Sequence, residues 1–241
     1  MISSTAFLES PRAARAVSRV AKPSVVDAVP DGLRLAPELA DVLLHDQRIV
    51  DLGCGAGQTC LDLVRSGFFA VTGVDRDAAA VERARQAADR LQARPLPRFM
   101  VADVTALALP GGSFAAAIMQ GLLTALTAAE DRARAMGEAQ RILAPRGRLY
   151  LAEVTQMWHD PRYRQCYAEG RQATGETGTL AARHPRTGEF LGYAHHYTEQ
   201  ELVGLLLEAG FEIEDFRYDT STSLRTGERV SSMTVVGVNA K

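Results

Sequence analysis

The octapeptide Val50 to Gly57, VDLGCGAG, constrains the fold of this chain more than any other stretch. Ile49, Val50 and Leu52 suit a buried parallel strand, and Gln58 to Ser66 reads as a short helix stopped by Gly67. Between them, Gly53, Gly55 and Gly57 let the backbone take positive φ, or approach a ligand more closely than a side chain permits. Open α/β sheets bind ligands beyond the carboxyl ends of their strands, at the first crossover, so a ligand is expected across this turn. On that geometry Gly55→Val is expected to abolish binding by crowding the backbone.

A nucleotide is the first candidate. The dinucleotide fingerprint requires Gly or Ala three residues after its second Gly, and Gln58 stands there, a poor fit to NAD and to a nicotinamide oxidoreductase. A second strand, Phe69 to Val74, ends in Asp75, where an acid can accept hydrogen bonds from both ribose hydroxyls. A third, Arg98 to Ala102, delivers Asp103 to the same sheet edge. Carboxylates at both places suit adenosine, with hydroxyls on one side and an exocyclic amine on the other. A turn or helix cap is the competing reading of Asp103.

These residues resemble the class I S-adenosylmethionine-dependent methyltransferases. VDLGCGAG is similar to that family's first motif, VTGVDRD to its acidic second-strand end, VADV (Val101 to Val104) to its adenine-contacting motif, and LAPRGRLYLAEV (Leu143 to Val154) to its L-x-P-G-G turn and fifth strand. Arg146 replaces the first Gly of that turn, remote from the cofactor. The resemblance runs from Ile49 to Val154 and resumes at Tyr197. It implies an α/β fold, a doubly wound, seven-stranded, mostly parallel sheet with a C-terminal antiparallel hairpin, N-terminal helices and a helical lid. It implies S-adenosyl-L-methionine as cofactor, held by Asp51, Gly53, Cys54, Gly55, Gly57, Asp75, Arg76, Asp103, Val104, Gln120 and Gly121, the last two beside the transferred methyl. Family members that methylate amides or base amines tend to place Asn-Pro-Pro-Tyr there, and this chain has Met119-Gln120-Gly121-Leu122. It also lacks the acidic pair with which metal-dependent catechol enzymes hold magnesium, so no metal is expected. A protein that binds the same cofactor without transferring methyl would keep all of these motifs.

Bulk properties narrow the partners. A chain of 241 residues fits one α/β domain with an insertion: residues 1–47 as an N-terminal helical cap and 48–241 as the cofactor domain, with 155–197 as lid. A formal net charge of −2 with interspersed signs provides no electrostatic footprint for nucleic acid or an anionic membrane. With neither of those as partner, the acceptor that goes with the resemblance is a small molecule, and a homodimer is left open. Cys54, Cys60 and Cys166 show no metal spacing or disulfide framework, which points to a reducing, cytoplasmic setting. The first twenty-two residues are rich in Ser, Ala and Arg and poor in acids. That is also the composition of an organellar transit peptide, although Arg and Ala are abundant throughout.

Along the chain, Pro11 to Val20 and Pro37 to Leu44 read as short helices that either close over the substrate or cover a sheet edge. Asp77 is placed to cap a helix with Val81, Ala84, Ala88 and Leu91 on one stripe. Phe114 to Met119 is a fourth strand, and Thr127 with Glu130 forms a capping box before a helix carrying Met136, Ala139 and Leu143. Arg148 to Val154 is the fifth strand. A second box, Thr198 with Glu201, opens a helix that turns Leu202, Leu205, Leu206 and Ala209 inward and stops at Gly210. Phe211 to Phe216 and Ser232 to Val238 form the closing hairpin.

Thr155 to His196 is too long for a plain loop. It holds four of the five histidines, with Trp158, Tyr163, Tyr167 and Tyr193 and five arginines, a content suited to a planar or anionic small molecule or simply to a packed helical insertion. Methyl transfer from a sulfonium needs positioning, exclusion of water and, for a protonated acceptor, a base. His195 and His196 are the first candidates for that base, Tyr193 and Glu153 weaker ones, and a thiolate, carboxylate or activated carbon acceptor would need none. A metal site from His184, His195 and His196 matches no known spacing.

Overall fold

The computed structural model describes residues 43–91, 95–184, 187–222 and 229–241. The helix expected at Pro11 to Val20, all of the one at Pro37 to Leu44 but its last two residues, and most of the cap segment lie outside these residues. The main sheet has seven strands in the order β3-β2-β1-β4-β5-β9-β8. These are β1 (Ile49–Leu52), β2 (Val71–Asp75), β3 (Arg98–Val101), β4 (Phe114–Gln120), β5 (Leu143–Val154), β8 (Phe211–Thr222) and β9 (Arg229–Asn239). β1 to β5 run parallel, and β9 runs antiparallel to both β5 and β8. The chain reverses its winding between β1 and β4, so the ligand crevice of such sheets falls at their carboxyl ends.

Side chains alternate across the sheet into two cores. Val50, Leu52, Met119, Leu149, Leu151 and Val235 pack on α4 (Ala129–Ile142) and α6 (Glu199–Glu208), through Ala135, Met136 and Ala139 of the first and Leu202 and Leu206 of the second. Ile49, Val71, Ala116, Ile118 and Tyr150 pack instead on α1 (Gln58–Arg65), through Cys60, Leu63 and Val64. All four residues of β1 are buried, as a central parallel strand requires. Asp77 caps α2 (Ala78–Asp89) by accepting from the Ala79 N–H at 2.9 Å.

Several local expectations are corrected. The box at Thr127 does not form. α4 has Ala128 as its N-cap, with no side-chain bond, so the threonine sits one position too early. Its carbonyl accepts instead from Arg132 at 2.7 Å. At the second box Thr198 Oγ1 does accept from the Glu201 N–H, at 3.2 Å, but the Glu201 carboxylate reaches to His195 rather than back to the cap. Arg146 takes φ 60, the left-handed backbone that Gly would supply, and it is the one non-glycine residue with positive φ among the described residues.

The insertion is mixed rather than helical. It carries α5 (Pro161–Thr174) and a two-stranded hairpin of β6 (Thr179–Arg183) and β7 (Phe190–His195). Gly170 lets α5 lie directly on β6, since a Cβ there would overlap the Thr179 carbonyl. β7 packs against α3 (Leu122–Ala125), the short helix after β4, and this sets the insertion over the carboxyl ends of the strands. Among the described residues no helix is long and apolar enough to cross a membrane.

Candidate functional site

Three glycines shape the turn after β1. Gly53, Gly55 and Gly57 have φ of 79, 50 and 82°, and the Gly53 and Cys54 N–H groups donate to the Val74 carbonyl at 2.8 and 2.9 Å. A Cβ on Gly53 would come 2.9 Å from Leu122 Cδ1, and one on Gly57 would come 2.8 Å from Ala84 and the Phe99 ring. At Gly55 nothing lies within 4 Å of the Cβ position. Crowding against the protein therefore belongs to the outer two glycines, and a side chain on Gly55 would project into open space. α1 begins at Gly57 with no side-chain cap, so the positive end of the helix faces the turn.

The carboxylate of Asp75 is fixed by two backbone donors, Gly55 N–H at 2.8 Å and Asp77 N–H at 2.9 Å. An ionised carboxylate has about four lone-pair sites, so it can still accept from a ligand. Arg76, next to it, is exposed. Asp103 is exposed, and its Oδ1 accepts from Thr105 N–H at 2.9 Å and Thr105 Oγ1–H at 2.8 Å. Those bonds hold its carboxyl below the usual range. It thus caps a turn while facing the same sheet edge, and Val104 behind it is buried.

Asp51 and Cys54 lie beneath the turn. Asp51 accepts from the Cys60 thiol of α1 at 3.5 Å, and burial pushes its carboxyl up to about 7. The Cys54 sulfur sits against Gly73 of β2, and burial raises its thiol above the usual range. Gln120 ends β4 half-buried. Gly121 follows with φ 63 and donates to the Ala152 carbonyl at 2.8 Å. Glu153, at the end of β5, is 1% exposed and accepts from the Leu123 N–H at 2.8 Å and the Thr124 N–H at 2.9 Å. Burial pushes its carboxyl up to about 7, against the pull of those two amides.

His195 and His196 are hydrogen-bonded within the insertion and to α6. His195 lies between Thr179 Oγ1, 2.8 Å from Nδ1, and the Glu201 carboxylate, 2.7 Å from Nε2, with Glu176 at 3.4 Å. Tyr167 accepts from the Met157 N–H at 3.0 Å, and its hydroxyl lies 2.9 Å from His196 Nδ1. Burial, with His195 beside it, pushes His196 down to about 3, so it is neutral near pH 7 and a weak proton acceptor. Both ring nitrogens of His195 and the Nδ1 of His196 thus have partners within the insertion or on α6. Tyr193 is half-buried in β7, edge-on to Phe190 with ring centroids 5.1 Å apart. Among the described residues no group of three or more His, Cys, Asp or Glu could hold a metal ion.

Sequence reasoning missed several residues around this site. Arg132, 4% exposed, donates to the Leu126 and Thr127 carbonyls and pairs with Glu176 at 2.8 Å, extending the chain that runs through Thr179 and His195 to Glu201. The signal was present: Arg132 lies four and seven residues before Met136 and Ala139, on the inward stripe of its helix. Phe99 and Leu122, which lie over the glycines, carry no such signal.

Residues 50–151 match the family model of a methyltransferase domain. A solved SAM-dependent methyltransferase from Methanosarcina mazei is 36% identical, with a TM-score of 0.80 over 86% of this chain and 98% of that one. The malonyl-[acyl-carrier protein] O-methyltransferase of Halorhodospira halophila is 32% identical over 180 residues, 74% of this chain and 52% of that protein's length. The chain therefore spans about half of that curated relative. Magnesium protoporphyrin IX methyltransferase from Synechocystis, solved with bound S-adenosylhomocysteine, shares the fold at 20% identity and a TM-score of 0.60 over 84% of this chain and 78% of that one.

Proposed function

The chain belongs to the S-adenosylmethionine-dependent methyltransferase family, and from that premise we propose that it transfers the methyl group in line to a small-molecule acceptor under the lid. Its cofactor is S-adenosylmethionine, which supplies an activated methyl on a sulfonium. The observation that carries the reading is the convergence of the left-handed glycine turn, Asp75 and Asp103 on one sheet edge, with the space above Gly55 open.

In this reading Asp75 accepts from the ribose hydroxyls, and Asp103 with Val104 contacts the adenine. The glycine turn and the uncapped start of α1 take the cofactor's carboxylate. Asp51 and Cys54 support the turn from below, and Arg76 lines its rim. Gln120 and Gly121 form the methyl side. Because His195 and His196 are bonded within the lid, we assign proton removal to neither. The acceptor then arrives as a nucleophile that needs no histidine base, such as a thiolate, a carboxylate or an activated carbon. Tyr193, on the strand that packs against α3, is the lid residue assigned to acceptor contact, and β6–β7 excludes water.

Isothermal titration with S-adenosylmethionine, S-adenosylhomocysteine and NADH tests the site. Micromolar binding of both sulfur ligands with NADH silent is the expected outcome. Silence of both, with and without added cell extract as a source of acceptor, would sink the reading.

A further inference from the structure

We infer that Glu153 is a positioning residue of the cofactor site, an assignment that rests on the reading above. α3 has only four residues, and its N-cap is Gly121, which has no side chain to satisfy the helix's first N–H groups. Glu153 does this from another strand. Its two oxygens divide between the Leu123 and Thr124 N–H groups, one each, at 2.8 and 2.9 Å. The Gly121 N–H is tied to Ala152, the residue before Glu153 on β5, at 2.8 Å. The end of β5 thus holds the whole turn after β4.

That turn matters because of what it touches. Leu122, between the two anchored points, lies against Gly53 so closely that a Cβ on the glycine would come 2.9 Å from its Cδ1. Glu153, the α3 start, Leu122 and the glycine turn form one continuous series of contacts. Releasing the carboxylate frees Leu122 to move over Gly53 and changes the wall on which the cofactor's methyl side rests. Because Glu153 is 1% exposed and turned to the backbone of α3, it serves as an anchor rather than as the substrate's base.

The test needs no acceptor. Glu153→Gln presents an NH2 group to one of the two amides, so both bonds cannot form. S-adenosylhomocysteine affinity should fall by about tenfold or more as Leu122 shifts over Gly53. Exchange of the Leu123 and Thr124 amides should accelerate. Leu122→Ala, which leaves the anchor intact, should lower the affinity in the same direction without faster exchange at those amides, and it decides alone if Glu153→Gln does not fold. Affinity within twofold of wild type in the folded variants overturns the inference, since a purely structural role or a base would move the melting temperature or turnover and not this binding. Silence of the wild-type protein toward S-adenosylhomocysteine would sink the functional reading itself and the inference with it.

Discussion

The cofactor edge and the lid use the same residue types in opposite ways. Both need a glycine for close approach, Gly57 against Ala84 and Phe99 in one, Gly170 against the Thr179 backbone in the other. Both bury ionisable groups. At the edge Asp75 keeps lone pairs beyond its two backbone donors, and the space above Gly55 is open. In the lid, Arg132, Glu176, Thr179, His195 and Glu201 bond one another, and Met157, Tyr167 and His196 form a second chain. Suitability for chemistry lies in the side chain, whereas availability depends on the partners it already has. Histidines gathered in an insertion are therefore weaker evidence of a site than an acid that keeps lone pairs beside open space.

The largest effects should separate the two glycines. Gly170→Ala forces α5 off the β6 backbone and should cost the lid about 3 kcal/mol or more, measured as rapid proteolysis within 155–196 with cofactor binding retained. Gly57→Ala combines a contact at 2.8 Å with a strained φ. It should cost about as much and abolish S-adenosylhomocysteine binding. Loss of binding in Gly170→Ala would break the distinction between the regions.

Next comes pH, where the two regions have opposite signs. Asp51 is raised from 3.8 to about 7, so its contribution is fully present below the unfolded value and is lost as pH rises through 7. Relative to Asp51→Asn, the wild-type protein should lose about 2–3 kcal/mol between pH 5 and pH 8 in urea titrations. His196 is lowered from 6.5 to about 3, so its contribution is present above 6.5 and is lost as pH falls toward 3. Relative to His196→Gln, the wild-type protein should lose about 2 kcal/mol between pH 7 and pH 5. Matching slopes in the two comparisons would show that the burial of one group has been misassigned.

Smaller effects sharpen the contrast. Asp75→Ala should weaken S-adenosylhomocysteine binding by about 1–3 kcal/mol in a titration, through ribose hydroxyls left unpaired. Tyr167→Phe removes the oxygen shared by Met157 and His196, and should cost about 1–2 kcal/mol of stability with cofactor affinity unchanged. A fall in affinity there would show that the lid chain reaches the cofactor edge.

Much of the cofactor edge was legible because its signals are local. Positive φ at Gly53, Gly55 and Gly57 and the cap at Asp77 follow from neighbours within a turn or two of chain. So do the inward residues Val81, Ala84 and Ala88 of α2, Met136 and Ala139 of α4 and Leu202 and Leu206 of α6, whereas Leu91 falls beyond α2 and Leu143 opens β5. The lid was legible only as a segment too long to be a loop. Its hairpin depends on β6 pairing with β7 across a connection, and its polar chains join residues as far apart as Arg132 and Glu176. The Thr127 box failed for a related reason, since a one-residue shift in where α4 starts moves the threonine out of the cap.

The amino-acid sequence by itself determined the strand-turn-helix unit, the parallel order that follows from alternating strands and helices, and the residue types at each strand end, because backbone sterics and hydrophobic periodicity act over short range. Tertiary structure alone decided which polar groups remain available. It set Leu122 and Phe99 over the glycines, turned Glu153 toward the backbone of α3, and enclosed His195 and His196 among lid partners. The physical reason is that a hydrogen-bonding group's chemistry is governed by distance and burial, and residues far apart in the chain acquire both only when the sheet and the lid have packed.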